Sequence, residues 1–311
     1  LYNEDNSSPN LIDCDFSENS ADQWGGGLGH ELNCNPVLKA CIFTDNSARA
    51  GGGIRGAGGN PVLTNCVFLA NGPGGGLELQ NSNATLVNCT FSENSAMDGG
   101  GISTSGNAGP NITNCTFTDN SADRDGGGVF IGRDQSPILV NCMFGGNKAR
   151  RGAGIHNKGW GGYGATPTLI NCTFGGNHAS ESGGTMYNSR DSIPMLSNSI
   201  LWGNRPQEIY PQDSAVEITY SDVQGGWPGE GNINADPLFF DPANGDYHLR
   251  SRSGRWDPQS QNWVQDRATS PCIDAGDPSA DWSSEPFPHG ERINMGAYGG
   301  TPEASMSLGS R

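Results

Sequence analysis

The feature that most confines this chain is an internal repeat. Segments reading CDFSENSADQWGGGL from Cys14, CIFTDNSARAGGGI from Cys41, CVFLANGPGGGL from Cys66 and CTFSENSAMDGGGI from Cys89 align without ambiguity. CTFTDNSADRDGGGV from Cys115, CMFGGNKARRGAGI from Cys142 and CTFGGNHASESGGTM from Cys172 follow, and SILWGNRP from Ser199 is a decayed eighth copy. The intervals between these anchors are 27, 25, 23, 26, 27, 30 and 27 residues. A period of this length is one supersecondary unit that buries its apolar face only by stacking on its neighbours.

Each part of the consensus has a physical reading. Short apolar runs bounded by Gly, Asn and Pro read as strands, and no stretch has helical periodicity. A unit of about 26 residues with three short strands makes one coil, and successive coils pair in parallel about 4.8 Å apart. The expected fold is all-β: a single-stranded right-handed parallel β-helix of about 8–10 coils with an irregular C-terminal cap.

Stacking turns repeat positions into columns. Cys14, Cys41, Cys66, Cys89, Cys115, Cys142 and Cys172 form one inward column that Ser199 continues. Phe16, Phe43, Phe68, Phe91, Phe117, Phe144 and Phe174 form an aromatic one, and Leu28, Ile54, Leu77, Ile102, Val129, Ile155 and Met186 an aliphatic one. Asn19, Asn46, Asn71, Asn94, Asn120, Asn147, Asn177 and Asn204 recur in every coil, where Asn tolerates left-handed backbone and its amide can bond the next Asn. A second Asn column runs Asn65, Asn88, Asn114, Asn141, Asn171 and Asn198, with Asp13 and Ala40 interrupting it. Most cysteines are therefore read as small buried hydrophobes with free thiols. Cys34 and Cys272 lie off register and could pair only if the C-terminal segment returned to the N-terminal end.

Composition fits a solenoid. Hydrophobic residues are only 33% of the chain although 48 of 311 are Gly, and a stacked repeat needs less apolar mass than a globule of this length. The formal charge of −16 without a basic run argues against nucleic acid. No segment approaches the length of a membrane helix. Secretion or display at a cell surface is the expected location, inferred from the class of chain.

The motif F-x-x-N followed by G-G-G/A and a hydrophobic residue resembles the repeat of polymorphic outer-membrane proteins, which are bacterial surface adhesins. That resemblance covers roughly residues 11–205. INADPLFFDPANGDYHL, TSPCIDAGD and RINMGAYGGTPEAS resemble the closing segment of large secreted β-helix proteins of environmental bacteria, over roughly 217–306. The wider class is the pectate-lyase-like superfamily, which holds enzymes and non-enzymes. The resemblance implies fold and location more than activity. The expected division is a cap or partial coil at 1–10, repeats over 11–224, a capping segment covering the end of the solenoid at 225–305, and a linker or tail at 306–311.

Most apparent chemical motifs belong to the repeat. Gly51, Gly53 and Gly56 satisfy G-x-G-x-x-G, but no βαβ unit surrounds them. The five His residues have no zinc spacing. Glu18 and Asp45, and Glu93 and Asp119, would stack about 5 Å apart, a separation that suits a retaining glycosidase but that any acidic column produces. Asp119, Asp123 and Asp125 form the densest acidic cluster and would take calcium if their oxygens converged; otherwise no cofactor is expected.

One region is left unexplained by stacking. The outward column Gly29, Arg55, Glu78, Ser103, Phe130, His156, Tyr187 gathers rings in its later coils, and the longest coil carries the insertion HNKGWGGYG. Arg133, Arg150, Arg151, His156, Lys158, Trp160, Tyr163 and Tyr187 are the candidate ligand-binding residues, since aromatic faces with cations suit an anionic polysaccharide or surface glycan. Three readings stand: a non-catalytic, adhesin-like or glycan-binding solenoid; a polysaccharide lyase or glycosidase in which His156, Tyr187 and Lys158 act; and a self-assembling matrix or filament component.

Overall fold

A computed structural model of the protein describes residues 1–31, 33–106 and 109–307. Three parallel sheets of nine strands each run the length of the molecule. The first begins at Tyr2–Asn3 and ends at Ile209–Pro211, the second runs from Asn10–Ile12 to Glu217–Thr219, and the third from Asp15–Ser17 to Asp222–Val223. A fourth sheet of four strands, Ser95–Asp98, Ser121–Asp125, Lys148–Arg151 and His178–Ser182, flanks the middle coils. Among the described residues the sole helical element is one 3-10 turn, Pro242–Asn244. Residues 1–10 belong to the first coil, because Tyr2 pairs with Gly29 and Asn10 with Val37. The expected tail at 306–311 lies largely outside the described residues.

Register is kept residue for residue. Phe91 pairs with Phe68 on one side and Phe117 on the other, and the rings stack 4.6 and 5.1 Å apart. From Phe43 to Phe174 these rings are completely buried. The aliphatic column extends one coil past its legible end, to Ile209. The third glycine of each triplet lets the chain lie against the aromatic stack: a Cβ on Gly101 would sit 3.0 Å from the Phe117 ring and 2.6 Å from the Gly128 carbonyl oxygen.

The two Asn columns do different work. In the buried one, from Asn46 to Asn177, each Nδ2 donates to the Oδ1 of the next coil and to a Phe carbonyl of the preceding one. Asn120 Nδ2, for example, reaches Asn147 Oδ1 at 3.0 Å and Phe91 O at 2.9 Å. The next Oδ1 also accepts the backbone N–H, as Asn147 Oδ1 does from Asn120 at 3.1 Å. The ladder ends on Glu208, whose carboxylate accepts from Asn204 N at 3.1 Å, Asn204 Nδ2 at 2.7 Å and Thr185 Oγ1 at 2.5 Å. Left-handed backbone falls to the other column, Asn65 to Asn198, with φ of 51–55°. The carboxylates of Glu18, Asp45, Glu93 and Asp119 occupy a second left-handed corner, two residues after each Phe, and are exposed.

All nine cysteines are thiols, Cys34 and Cys272 included. The cysteine column is not simply apolar, because its thiols donate to carbonyls: Cys89 Sγ lies 3.4 Å from Val87 O and 3.6 Å from Leu63 O. Ser199 and then Ser221 take over the same role by donating their hydroxyls to Ser197 O and Thr219 O.

The closing segment is placed differently from the expectation that it covers the end. Only residues 225–234 do so: Trp227 packs on the core, and Asn232 bonds Ser221 N at 3.0 Å and Ile218 O at 2.9 Å. Residues 235–306 lie along the flank of the third sheet. Their own core of Phe239, Tyr247, Leu249, Cys272, Ile273 and Met295 closes over Ile200, with Met143 and Trp202 at its edge. Tyr247 enters where two coils carry Gly145 and Gly175 instead of the Ser or Thr usual after Phe, and a Cβ on Gly175 would stand 2.2 Å from its ring. Its hydroxyl donates to Gly175 O at 3.0 Å. The outer Asn column is the dock: Asn141 donates to Ala297 O and Gly299 O at 2.9 and 2.7 Å, and Asn198 Oδ1 accepts from Asp277 N at 2.7 Å.

Two stability measurements follow. Asn120→Ala strips partners from several fully buried groups, each costing about 1–3 kcal/mol, and Phe117→Ala opens the stack at a cost of about 3–5 kcal/mol; urea unfolding should show both as large losses. Glu285 is buried and accepts N–H groups of Asn294 and Gly300 at 2.8 Å each, and burial raises its pKa from 4.5 to about 7. The folded state therefore holds this proton over a range where the unfolded chain has released it, so the contribution is present below pH 4.5 and is lost as pH rises through 7. Glu285→Gln should flatten the thermal stability of the flank over that window.

Candidate functional site

The outer face of the first sheet is buried at Phe130, His156 and Tyr187 and opens again at Tyr210, which is 41% exposed. Phe130, His156, Tyr187 and Tyr210 are in register across four strands, with ring centroids 5.4, 5.0 and 5.3 Å apart. Strand alternation aims them outward, yet His156 is 2% and Tyr187 4% exposed. The fourth sheet rises on one side of this ring floor, and the turns that follow the strands rise on the other. Between these walls lies an open hollow of about 600 Å³.

The fourth sheet supplies Asp98, Arg124, Asp125, Arg150 and Arg151 to the hollow. The turns of the first sheet supply Arg133, Lys158, Trp160 and Arg190. Six of the chain's 17 Lys and Arg side chains thus line one cavity, against two carboxylates, in a chain of formal charge −16. Asp125 accepts two bonds of 2.8 Å from Arg151, and Asp98 pairs with Arg124. Glu181 stands 3.8 Å from Arg150 and Asp213 3.5 Å from Arg190, both at exposed positions where such pairs are weak. Arg133 and Lys158 have no carboxylate partner among the described residues. In the lining itself cations outnumber carboxylates six to two, and the hollow opens to solvent.

The insertion forms the lip. Trp160 and Tyr163 close a tight turn through paired backbone hydrogen bonds of 3.1 and 3.3 Å, and Gly162 N donates to Asp191 at 2.9 Å. Trp160 is 62% exposed with the Arg190 guanidinium 5.5 Å from its ring. Such a ring offers a stacking face beside a cation. Tyr163 turns toward an adjoining hollow of about 580 Å³ that shares Arg133 and Lys158 with the first.

Beneath the lip the side chains of His156 and Tyr187 are buried. His156 Nδ1 stands 3.6 Å from Asp125, and Nε2 lies 3.2 Å from Ser189 Oγ. Burial lowers its pKa to about 4, more than the nearby carboxylate raises it, so the imidazole is neutral near pH 7. Burial works to raise the Asp125 pKa, but the bonds from Arg151 and the charge of Arg150 hold it below the usual value. Tyr187 donates to Gln212 and lies under Arg151, whose guanidinium carbon is 5.1 Å from the ring centre.

Of the residues singled out in the sequence, Arg133, Arg150, Arg151, His156, Lys158 and Trp160 share this hollow. Tyr187 stacks against His156 in its floor and Tyr163 lines its neighbour. Asp119, Asp123 and Asp125 are not brought together: Asp119 sits at a corner near Tyr247, Asp123 lines a hollow beside Met97, and Asp125 is bound to Arg151. Among the described residues no group of three or more His, Cys, Asp or Glu is arranged to hold a metal ion. Asp98, Arg124, Ser189, Arg190 and Gln212 also line the hollow. Arg190 lies in the turn three residues past Tyr187, as Lys158 lies in the turn two past His156, and that shared turn could have pointed to it, whereas Arg124 lies in the variable stretch between Asn and Gly.

Stacked coils with an Asn ladder, a phenylalanine stack and parallel sheets throughout define a parallel β-solenoid. Residues 1–174 match the family described as right handed beta helix region, and the chain belongs to it. Residues 216–276, the last coil and the start of the flank segment, match a family described as disaggregatase related. No curated protein matches the chain. Among the described residues no helix is long and apolar enough to cross a membrane.

His156 also makes a pH prediction. Its folded pKa is depressed, so its contribution to stability is present above pH 6.5 and lost as pH falls toward 4. NMR titration of the imidazole should show no protonation between pH 8 and 5; a midpoint near 6.5 would contradict the buried, neutral ring.

Proposed function

We propose that this protein is a non-catalytic β-solenoid, secreted or displayed at a cell surface, that binds an anionic glycan in the hollow between the fourth sheet and the first-sheet turns. The carrying observation is the convergence of Arg124, Arg133, Arg150, Arg151, Lys158 and Arg190 on one open cavity with Trp160 at its lip. Arg forks match carboxylate and sulfate oxygens, and an exposed indole stacks on the apolar face of a sugar ring. Positive charge concentrated in an acidic protein steers an anionic partner to this face.

Catalysis is the weaker reading for a geometric reason. A general base has to reach the proton it removes, while His156 and Tyr187 are almost wholly buried and hydrogen-bonded to Ser189 and Gln212. Lys158 is the one member of that trio at the surface, its ammonium 5.5 Å from the Phe130 ring centre.

Titration with uronate and sulfated oligosaccharides, beside neutral controls, tests the proposal. Binding should weaken as salt rises, and the double variant Arg133→Gln, Lys158→Gln should lose at least about tenfold in affinity, since a charge-assisted hydrogen bond contributes roughly 1.5–3 kcal/mol. Absence of any acidic-glycan binding would sink the proposal. Release of unsaturated sugars or new reducing ends by the wild type, abolished in His156→Gln, would replace it with the enzyme reading.

A further inference from the structure

A second cavity lies away from the cationic hollow, in the groove between the third sheet and the flank segment. It measures about 340 Å³, inside the span of about 300–1,000 Å³ usual for small-molecule sites. Asn88, Asn114 and Asn141 form one wall on successive coils, and Met143, Tyr298 and Glu303 contribute to the rest. This is where the outer Asn column runs out from under the flank segment. Asn141 spends both amide hydrogens on Ala297 O and Gly299 O, and Asn88 spends one on Asn65. Among the described residues the Asn114 amide and the Tyr298 hydroxyl have no side-chain hydrogen-bond partner.

The opposite wall is held rigid. His248 Nδ1 bonds Asp246 at 2.7 Å, and the His248 ring stacks on Tyr298 with centroids 3.6 Å apart. His248 Nε2 faces Glu303 Oε2 at 3.6 Å and has no hydrogen bond. The ring of Tyr298 is thereby held against the groove, and it also packs on the apolar core of the flank, while the half-exposed carboxylate of Glu303 faces the groove's edge.

We propose that this groove is a binding site for a neutral sugar. Amides that both donate and accept match hydroxyl groups, which do the same. Tyr298 and Met143 offer apolar surface to the C–H face of a ring. A lone carboxylate already facing His248 gives no basis for an amine ligand, and the groove lacks the cations that would hold an anion.

The test is a titration of the intact chain with three neutral probes, the trimers of β-linked glucose, of mannose and of N-acetylglucosamine, followed by side-chain amide NMR. At least one probe should shift the Asn114 and Asn88 amides. Asn114→Ala and Tyr298→Phe should each weaken it about tenfold, the effect of one lost hydrogen bond, while Arg133→Gln with Lys158→Gln leaves it unchanged. Alanine is tolerated at this turn, since Ala40 holds the equivalent position with φ of 52°, so loss of binding in Asn114→Ala does not reflect unfolding. Failure of every probe to shift these amides, indifference to both groove variants, or loss of the response in the double cationic variant would each overturn the proposal.

Discussion

The hydrogen bond from one coil to the next is the constraint on which the rest of this structure depends. A three-residue strand buries little by itself, and no coil has a core of its own. The buried Asn ladder converts each coil into a template for its neighbour, because every amide is satisfied only when the next Asn occupies the same position. A buried amide left without a partner is costly, so register slips are disfavoured at each coil. The phenylalanine stack at 4.6–5.1 Å then follows from the same spacing. A ladder of this kind needs an end, and Glu208 supplies acceptors in place of a further Asn.

The outer face inherits that regularity and departs from it locally. Stacking places like on like, so a column that changes from Gly29, Arg55 and Glu78 to Phe130, His156 and Tyr187 becomes a continuous ring floor in its second half. Walls on both sides then bury the floor, and charge gathers on their rims. The same geometry that concentrates cations also withdraws His156 from solvent. A residue that looks like a catalytic base in one dimension is here a packed, neutral ring.

The flank segment shows how a repeat accepts a non-repeating partner. Two coils replace the usual Ser or Thr after Phe by Gly145 and Gly175, and Tyr247 fills the space. The outer Asn side chains, spare in a free solenoid, become backbone receptors at Asn141, Asn171 and Asn198. Where the flank stops, Asn114 is left with an open amide in a groove.

Periodicity alone determined the coil, the inward Cys, Phe and aliphatic columns and the two Asn columns, because each follows from placing identical residues about 4.8 Å apart, and the lack of helical period determined the near absence of helix. It also pointed to the 130–190 face, since the insertion and its aromatic residues break the repeat. Tertiary structure decided the rest. Which Asn column carries left-handed backbone depends on where the corners fall. Whether Asp119, Asp123 and Asp125 converge depends on strand direction within one short turn, and they do not. That His156 is buried while Lys158 is open follows from His156 being stacked between Phe130 and Tyr187 while Lys158 falls in the turn beyond the strand. That the closing segment lies mostly on the flank follows from Tyr247 finding Gly145 and Gly175. These outcomes rest on contacts between segments far apart in the chain, which no local pattern encodes.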